Sequence, residues 1–160
     1  MKLVVLVLED EPDVRAALER DLEGLARTVR VEPAQDVEDA RVVMAKVAAD
    51  GDELALVLAD HRLPGTSGVD FLVELSAARE TADVGTVLVT GQADQQDTIR
   101  AVNQGGLDYY IAKPWDPTEL DRVVRRLLTD FVELVGLDPL PHLAALDQVR
   151  AMELVRARLG

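Results

Sequence analysis

Residues 54–68 read LALVLADHRLPGTSG. An unbroken Leu/Ala/Val run, closed by a loop carrying Pro64, Gly65 and Gly68, is the pattern of a strand covered on both faces, as in a parallel sheet enclosed by helices. The run stops at Asp60, read as its last residue. A carboxylate at the carboxyl end of a central parallel strand stands on the edge where open α/β sheets bind ligands. Alone, an Asp at that point is equally an ordinary loop-entry residue.

The same pattern recurs on either side. Residues 2–8 (KLVVLVL) form a second doubly buried strand, ending in Glu9 and Asp10. Pro12 then suits a first helical turn, followed at helical spacing by Val14, Ala17, Leu18, Leu22 and Leu25. A short strand is expected at 28–31, bounded by Pro33. Asp36 with Asp39 marks a helix start, and Val42, Val43, Ala45, Lys46 and Val47 are read as its apolar face up to Gly51. Beyond the 54–68 stretch, a helix over 69–80 turns Phe71, Leu72 and Leu75 inward, and a strand at 86–89 ends in Thr90 and Gly91. Asp94 opens a helix through Ile99 and Val102, stopped by Gly105-Gly106. A fifth strand at 109–112 ends in Lys113 and Pro114, and Asp116-Pro117-Thr118-Glu119 begins the helix through Leu120, Val123, Val124, Leu127, Leu128 and Phe131. Strands and helices alternate five times, which predicts an α/β fold with a doubly wound, five-stranded parallel sheet.

Composition narrows the class. In 160 residues, 17 Lys and Arg stand against 30 Asp and Glu, a formal charge of −13, which opposes direct DNA binding by this chain and adhesion to anionic membranes. Without Cys, disulfides and thiolate metal sites are excluded. The apolar start at 1–8 is too short for a secretory leader and ends in acids, and no stretch is long enough to span a membrane, so a soluble, cytoplasmic protein is expected.

In a parallel sheet every crossover returns the chain in the same direction, so all strand carboxyl ends share one edge. Glu9, Asp10, Asp60, Thr90 and Lys113 therefore converge. Any one of them is readily a capping or solvated loop residue; their coincidence is not. Three close carboxylates repel unless they share a proton or hold a hard cation, and oxygen donors favour Mg²⁺. A carboxylate can also attack a phosphoryl group, with the cation and an ammonium neutralising the charge on its oxygens and the Thr hydroxyl bonding one of them.

With these residues in place, VLEDEP at the first strand end, D-x-x-L-P-G-x-S-G from Asp60, VTG at Thr90 and YIAKPW at Lys113 appear in order. The chain resembles the receiver domains of two-component response regulators, over residues 1–128. The resemblance implies a flavodoxin-like strand order, 2-1-3-4-5, and an Mg²⁺-dependent His-to-Asp phosphorelay in which Asp60 is the phosphoacceptor. It implies that Asp10 and Asp60 ligate Mg²⁺, that Glu9 assists through water, and that the backbone carbonyl of Arg62 is a further ligand. Thr90 and Lys113 would contact the phosphoryl group, Tyr110 would be an aromatic switch that turns inward as Thr90 moves, and Lys113-Pro114 would be a cis peptide. The implied partners are a sensor histidine kinase or phosphotransfer protein and an output domain or effector. Such a chain is a signalling phosphoacceptor, not an enzyme acting on a separate substrate.

Departures from the family pattern are few. Glu9 stands where Asp is commoner, and an insertion at 48–53 lengthens the second helix or its loop. Arg62 and Gln92 occupy positions that in this family modulate phosphoryl hydrolysis, and two readings of Arg62 stand: it shields the acyl phosphate and makes it long-lived, or it is an exposed arginine whose stem lies on the surface. His61 reads as a solvent-facing loop residue, His142 receives no role, and Trp115 is expected to pack at the foot of the last helix. Residues 129–160 form a C-terminal helical extension: the last helix continues through Phe131, Leu134 and Val135, GLDPLP (136–141) breaks it, and one further helix covers 142–159. Its broad apolar stripe lacks a clean heptad seam, which leaves docking on the receiver, pairing of two protomers as a homodimer, or the start of an output domain.

Other classes fit less well. A phosphatase or mutase with an aspartyl nucleophile usually carries a second Asp two residues on, where this chain has Arg62. An FMN binder needs a hydroxyl and glycine loop where Glu9-Asp10-Glu11 stands. The alternative that stays open is a phosphorylation-independent, receiver-like interaction module.

Overall fold

The apolar runs line up as a five-stranded, all-parallel sheet in the order β2-β1-β3-β4-β5. The strands of this computed structural model, which describes residues 1–91 and 95–160, are β1 (Leu3–Leu8), β2 (Val29–Ala34), β3 (Glu53–Ala59), β4 (Gly85–Thr90) and β5 (Tyr109–Ala112). The helices are α1 (Pro12–Asp21), α2 (Val37–Ala49), α3 (Gly68–Ala77), α4 (Gln95–Asn103), α5 (Pro117–Val135) and α6 (Gln148–Leu159). The fold is the doubly wound parallel sheet expected from the alternation, in the flavodoxin-like order that the resemblance implied.

Successive strand side chains point to opposite faces, and the core divides accordingly. Leu3, Val5 and Val7 of β1 pack with α1 and α5, through Leu18, Leu22, Leu120, Val124 and Leu128. Leu6 and Leu8 pack with α2, α3 and α4, through Ala40, Phe71, Leu72 and Ala101. Every residue of β1 and β4 is buried, which is why these strands read as continuous apolar runs rather than alternating ones.

Several boundaries differ from the sequence reading. β2 continues through Pro33 to Ala34, because β2 is an edge strand and its proline's missing N–H disturbs only a ladder with one neighbour. β3 ends at Ala59, and Asp60 is the first residue beyond it, although its N–H still donates to the Leu8 carbonyl at 3.0 Å. In α2 the inward residues are Val37, Ala40 and Val47, with Val43 and Met44 partly buried; Val42, Ala45 and Lys46 face outward. α3 stops at Ala77 instead of reaching Glu80, because the Thr81 hydroxyl takes the Leu75 carbonyl at 2.6 Å and draws the chain into a 3-10 turn at Arg79–Thr81. The expected helix start at Asp94 and the position of Gln92 lie outside the described residues.

The extension also differs. α5 ends where Gly136 adopts φ +79°, a left-handed cap that favours glycine. A single helix over 142–159 was expected; instead a 3-10 turn at Leu140–Ala145 is followed by α6, whose N-cap Asp147 accepts from the Arg150 N–H at 3.1 Å. His142 is buried in this turn, and burial holds its imidazole below the ordinary histidine range. Ala145, Leu146 and Ala151 join the β1–α1–α5 core. Thr129 of α5 is fully covered, its hydroxyl donating to the Arg125 carbonyl and accepting from the Asp147 N–H. Arg150 reaches back to Asp130 at 2.6 Å and Glu133 at 2.8 Å. Of the three roles considered for the extension, docking on its own receiver is the one these contacts display.

Leu146 is fully buried among side chains of both segments. Leu146→Ala should therefore destabilise the whole chain by about 2–5 kcal/mol in urea unfolding, in one cooperative transition. An unchanged midpoint would mean that the extension is not part of the core.

Candidate functional site

The carboxyl edge of the sheet gathers the residues that the sequence singled out. Glu9 and Asp10 follow β1, Asp60 follows β3, Thr90 ends β4 and Lys113 follows β5. Glu9, Asp10 and Asp60 each present a carboxylate oxygen within 4.8 Å of the others. Their exposures differ: Glu9 is 1% and Asp60 8% accessible, whereas Asp10 is exposed.

Lys113 bridges this cluster. Its Nζ donates to Glu9 Oε2 at 2.8 Å and lies 3.4 Å from Asp60 Oδ2. Burial pulls the ammonium down, but the Glu9 hydrogen bond and the Asp60 charge more than offset it and leave Lys113 above the usual lysine range. Burial, together with the Asp60 charge, pushes the Glu9 carboxyl up despite the Lys113 bond. Glu9 is thus the strained acid of the cluster, and its second oxygen accepts from the Glu11 N–H at 3.2 Å.

Backbone geometry sets the loop after Asp60. The Gly68 N–H donates to the His61 carbonyl at 2.9 Å, closing 61–68 back onto the start of α3, where Ser67 caps the Asp70 N–H at 3.1 Å. A Cβ on Gly68 would collide with the Asp60 carbonyl oxygen. Only glycine fits here, a requirement that the sequence marked merely as a turn residue. Arg62 is exposed on this loop and His61 partly buried.

Thr90 is buried, its carbonyl accepts from the Lys113 N–H at 3.0 Å, and the Tyr110 hydroxyl lies 3.5 Å from that same carbonyl. Tyr110 is half-buried, and the Lys113-Pro114 peptide is cis. Two contacts were missed in the sequence because each partner is unremarkable alone. Arg15 of α1 donates to the Glu9 carbonyl at 2.9 Å, and the Trp115 indole N–H donates to Asp21 at 2.8 Å, so Trp115, partly buried against the core, is tied to the end of α1. Among the described residues, no helix is long and apolar enough to cross a membrane.

Known proteins are similar to this chain. The family model of the response regulator receiver domain matches residues 5–125, and the chain belongs to that family. It is similar to the hydrogenase transcriptional regulatory protein HoxA of Cupriavidus necator, 31% identical over 96% of this chain and 29% of that protein. It is also similar to the transcriptional regulatory protein AruR of Pseudomonas aeruginosa, 36% identical over 78% of this chain and 48% of that one. The chain thus spans less than half the length of these two relatives. Among solved structures, an uncharacterized protein from Neptuniibacter caesariensis is 27% identical with a TM-score of 0.69, covering 84% of this chain and 94% of its own. The receiver domain of a sensor histidine kinase from Pseudomonas aeruginosa, solved with magnesium coordinated in its active site cleft, is 26% identical with a TM-score of 0.62, covering 80% of this chain and 98% of its own. Family membership favours the receiver reading over the phosphorylation-independent module.

Two outcomes follow from the geometry. Gly68→Ala should force the loop off Asp60 and destabilise the protein by about 1–3 kcal/mol in urea unfolding, and an unchanged midpoint would contradict the close approach. Because the folded-state pKa of Glu9 is raised, its contribution favours folding at acid pH and is lost as pH rises through that value. In metal-free buffer Glu9→Gln should therefore gain stability relative to wild type between pH 4 and pH 7. A difference that stays flat or shrinks over this range contradicts the assignment of Glu9 as the strained acid.

Proposed function

We propose that this chain accepts a phosphoryl group on Asp60 from a sensor histidine kinase or phosphotransfer protein and relays that change to an output domain or effector. The observation that carries the reading is the Lys113 ammonium set between Glu9 and Asp60 beside three clustered carboxylates. An Asp60 carboxylate oxygen attacks phosphorus, an O–P bond forms, and the bond to the donor's imidazole nitrogen breaks. The donor keeps the electron pair and the result is an acyl phosphate.

The donor set fits a hard divalent cation, since all three clustered side chains offer carboxylate oxygens. Asp10, Asp60 and the backbone carbonyl of Arg62 would hold Mg²⁺, with Glu9 acting through water. When bound, Mg²⁺ supplies neutralising charge to the transferring group. Lys113 already rests against Asp60, placed to pair with a phosphoryl oxygen, and the Thr90 hydroxyl would bond another. Movement of Thr90 would be passed to Tyr110, whose hydroxyl adjoins the Thr90 carbonyl. The chain would catalyse only its own phosphorylation and dephosphorylation. We assign residues 1–128 to the receiver and 129–160 to a docked extension, place the protein in the cytoplasm, and regard a homodimer as an output form compatible with this reading.

Incubation with acetyl phosphate or phosphoramidate, followed by intact mass measurement, tests this. One added phosphoryl group is expected with Mg²⁺, none after chelation, and none in Asp60→Asn. An adduct of equal yield in Asp60→Asn, or no adduct from either donor, would overturn the phosphoacceptor role.

A further inference from the structure

The acidic loop between β1 and α1 carries two of the three clustered carboxylates; the Glu9 side chain is held by Lys113 and by the Glu11 N–H, which leaves the course of the backbone through Asp10 to be fixed. Glu11, at the N-cap of α1, makes no side-chain capping bond. Asp10 is exposed, so the direction of its carboxylate depends on how firmly the flanking backbone is held. The hold is applied at Glu9: its N–H donates to the Ala34 carbonyl of β2 at 3.0 Å, and its carbonyl accepts from the Arg15 guanidinium at 2.9 Å. The Ala34 bond extends the sheet. The Arg15 bond does not; it comes from a partly buried side chain one helical turn into α1.

We infer that Arg15 is a positioning residue of the cation site, gripping the Glu9 carbonyl so that Glu9 and Asp10 present their carboxylates toward Asp60. The helix that carries Arg15 is anchored at its other end, where Asp21 accepts from the Trp115 indole N–H at 2.8 Å, two residues beyond Lys113. Both loops that bring Glu9 and Lys113 together are thus tied to α1, one by Arg15 and one by Asp21. Bringing like-charged carboxylates together is unfavourable, and a loop free to relax would spread them. The Arg15 bond opposes that relaxation before any cation arrives, which leaves less ordering to be done on binding. Its positive charge alone acts the other way, by repelling a cation. The two effects predict opposite signs for removal of the side chain.

This inference rests on the proposed Mg²⁺ site, and calorimetric titration of MgCl₂ into the full chain separates the two. Mg²⁺ binding by wild type that is lost in Asp10→Asn supports the site; a wild-type protein that binds no Mg²⁺ overturns the site and this inference with it. Arg15→Ala is expected to weaken binding about tenfold, the loss typical when a group orienting a metal ligand is removed. Arg15→Lys, which keeps a donor and the charge, should fall between the two. A wild type that binds Mg²⁺ while Arg15→Ala binds it equally or more tightly overturns the positioning role and leaves the site standing. Should Arg15→Ala fail to melt as a folded protein, Arg15→Lys against wild type decides, with about threefold weakening expected and equal affinity contradicting the role.

Discussion

The Lys113 ammonium, 2.8 Å from Glu9 and 3.4 Å from Asp60, is the interaction around which the carboxyl edge of the sheet is built. Two nearly buried acids within one cluster repel each other, and removing the cation between them would leave uncompensated charge in a poorly hydrated place. The fold brings Lys113 there by making β1, β3 and β5 run in one direction, with β1 beside β3 and only β4 between β3 and β5. The Lys113 N–H also continues the ladder by donating to the Thr90 carbonyl. Charge pairing and sheet geometry therefore act on the same residues. The proposed phosphoryl chemistry uses what this balance provides, an acid poised against a cation that is already in place.

Much of this was legible in the chain because doubly buried strands and polar edge residues leave opposite marks. Continuous apolar runs announce β1, β3 and β4, and each run stops at a polar residue on the shared edge. Less regular elements were harder to read. Pro33 suggested the end of β2, but an edge strand has one partner only and tolerates a missing donor. The apolar residues of α2 misled because 42–47 is aliphatic nearly all round, and only the packing of Val37, Ala40 and Val47 shows which face turns inward.

Contacts between residues of ordinary type left no mark at all. Nothing in the sequence distinguishes Arg15 from any other helix-surface arginine, yet it bonds the Glu9 backbone. Gly68 was recognisable as a turn residue, while the need for glycine arises from its approach to the Asp60 carbonyl, a relation across the loop. The extension shows the same limit. Its composition allowed docking, pairing or continuation into another domain, and the docking contact shows at Thr129, which is fully buried and whose hydroxyl accepts from the Asp147 N–H. α5 thereby contacts the sheet on one side and the extension on the other.

Asp60, and no other acid of the cluster, is proposed to carry the phosphoryl group. Borohydride reduction of the phosphorylated protein followed by peptide mapping tests it directly, because an acyl phosphate is reduced where a free carboxylate is not. Conversion of Asp60 to homoserine, with Glu9 and Asp10 unchanged, is the predicted result. Reduction at Glu9 or Asp10 with Asp60 intact would contradict it.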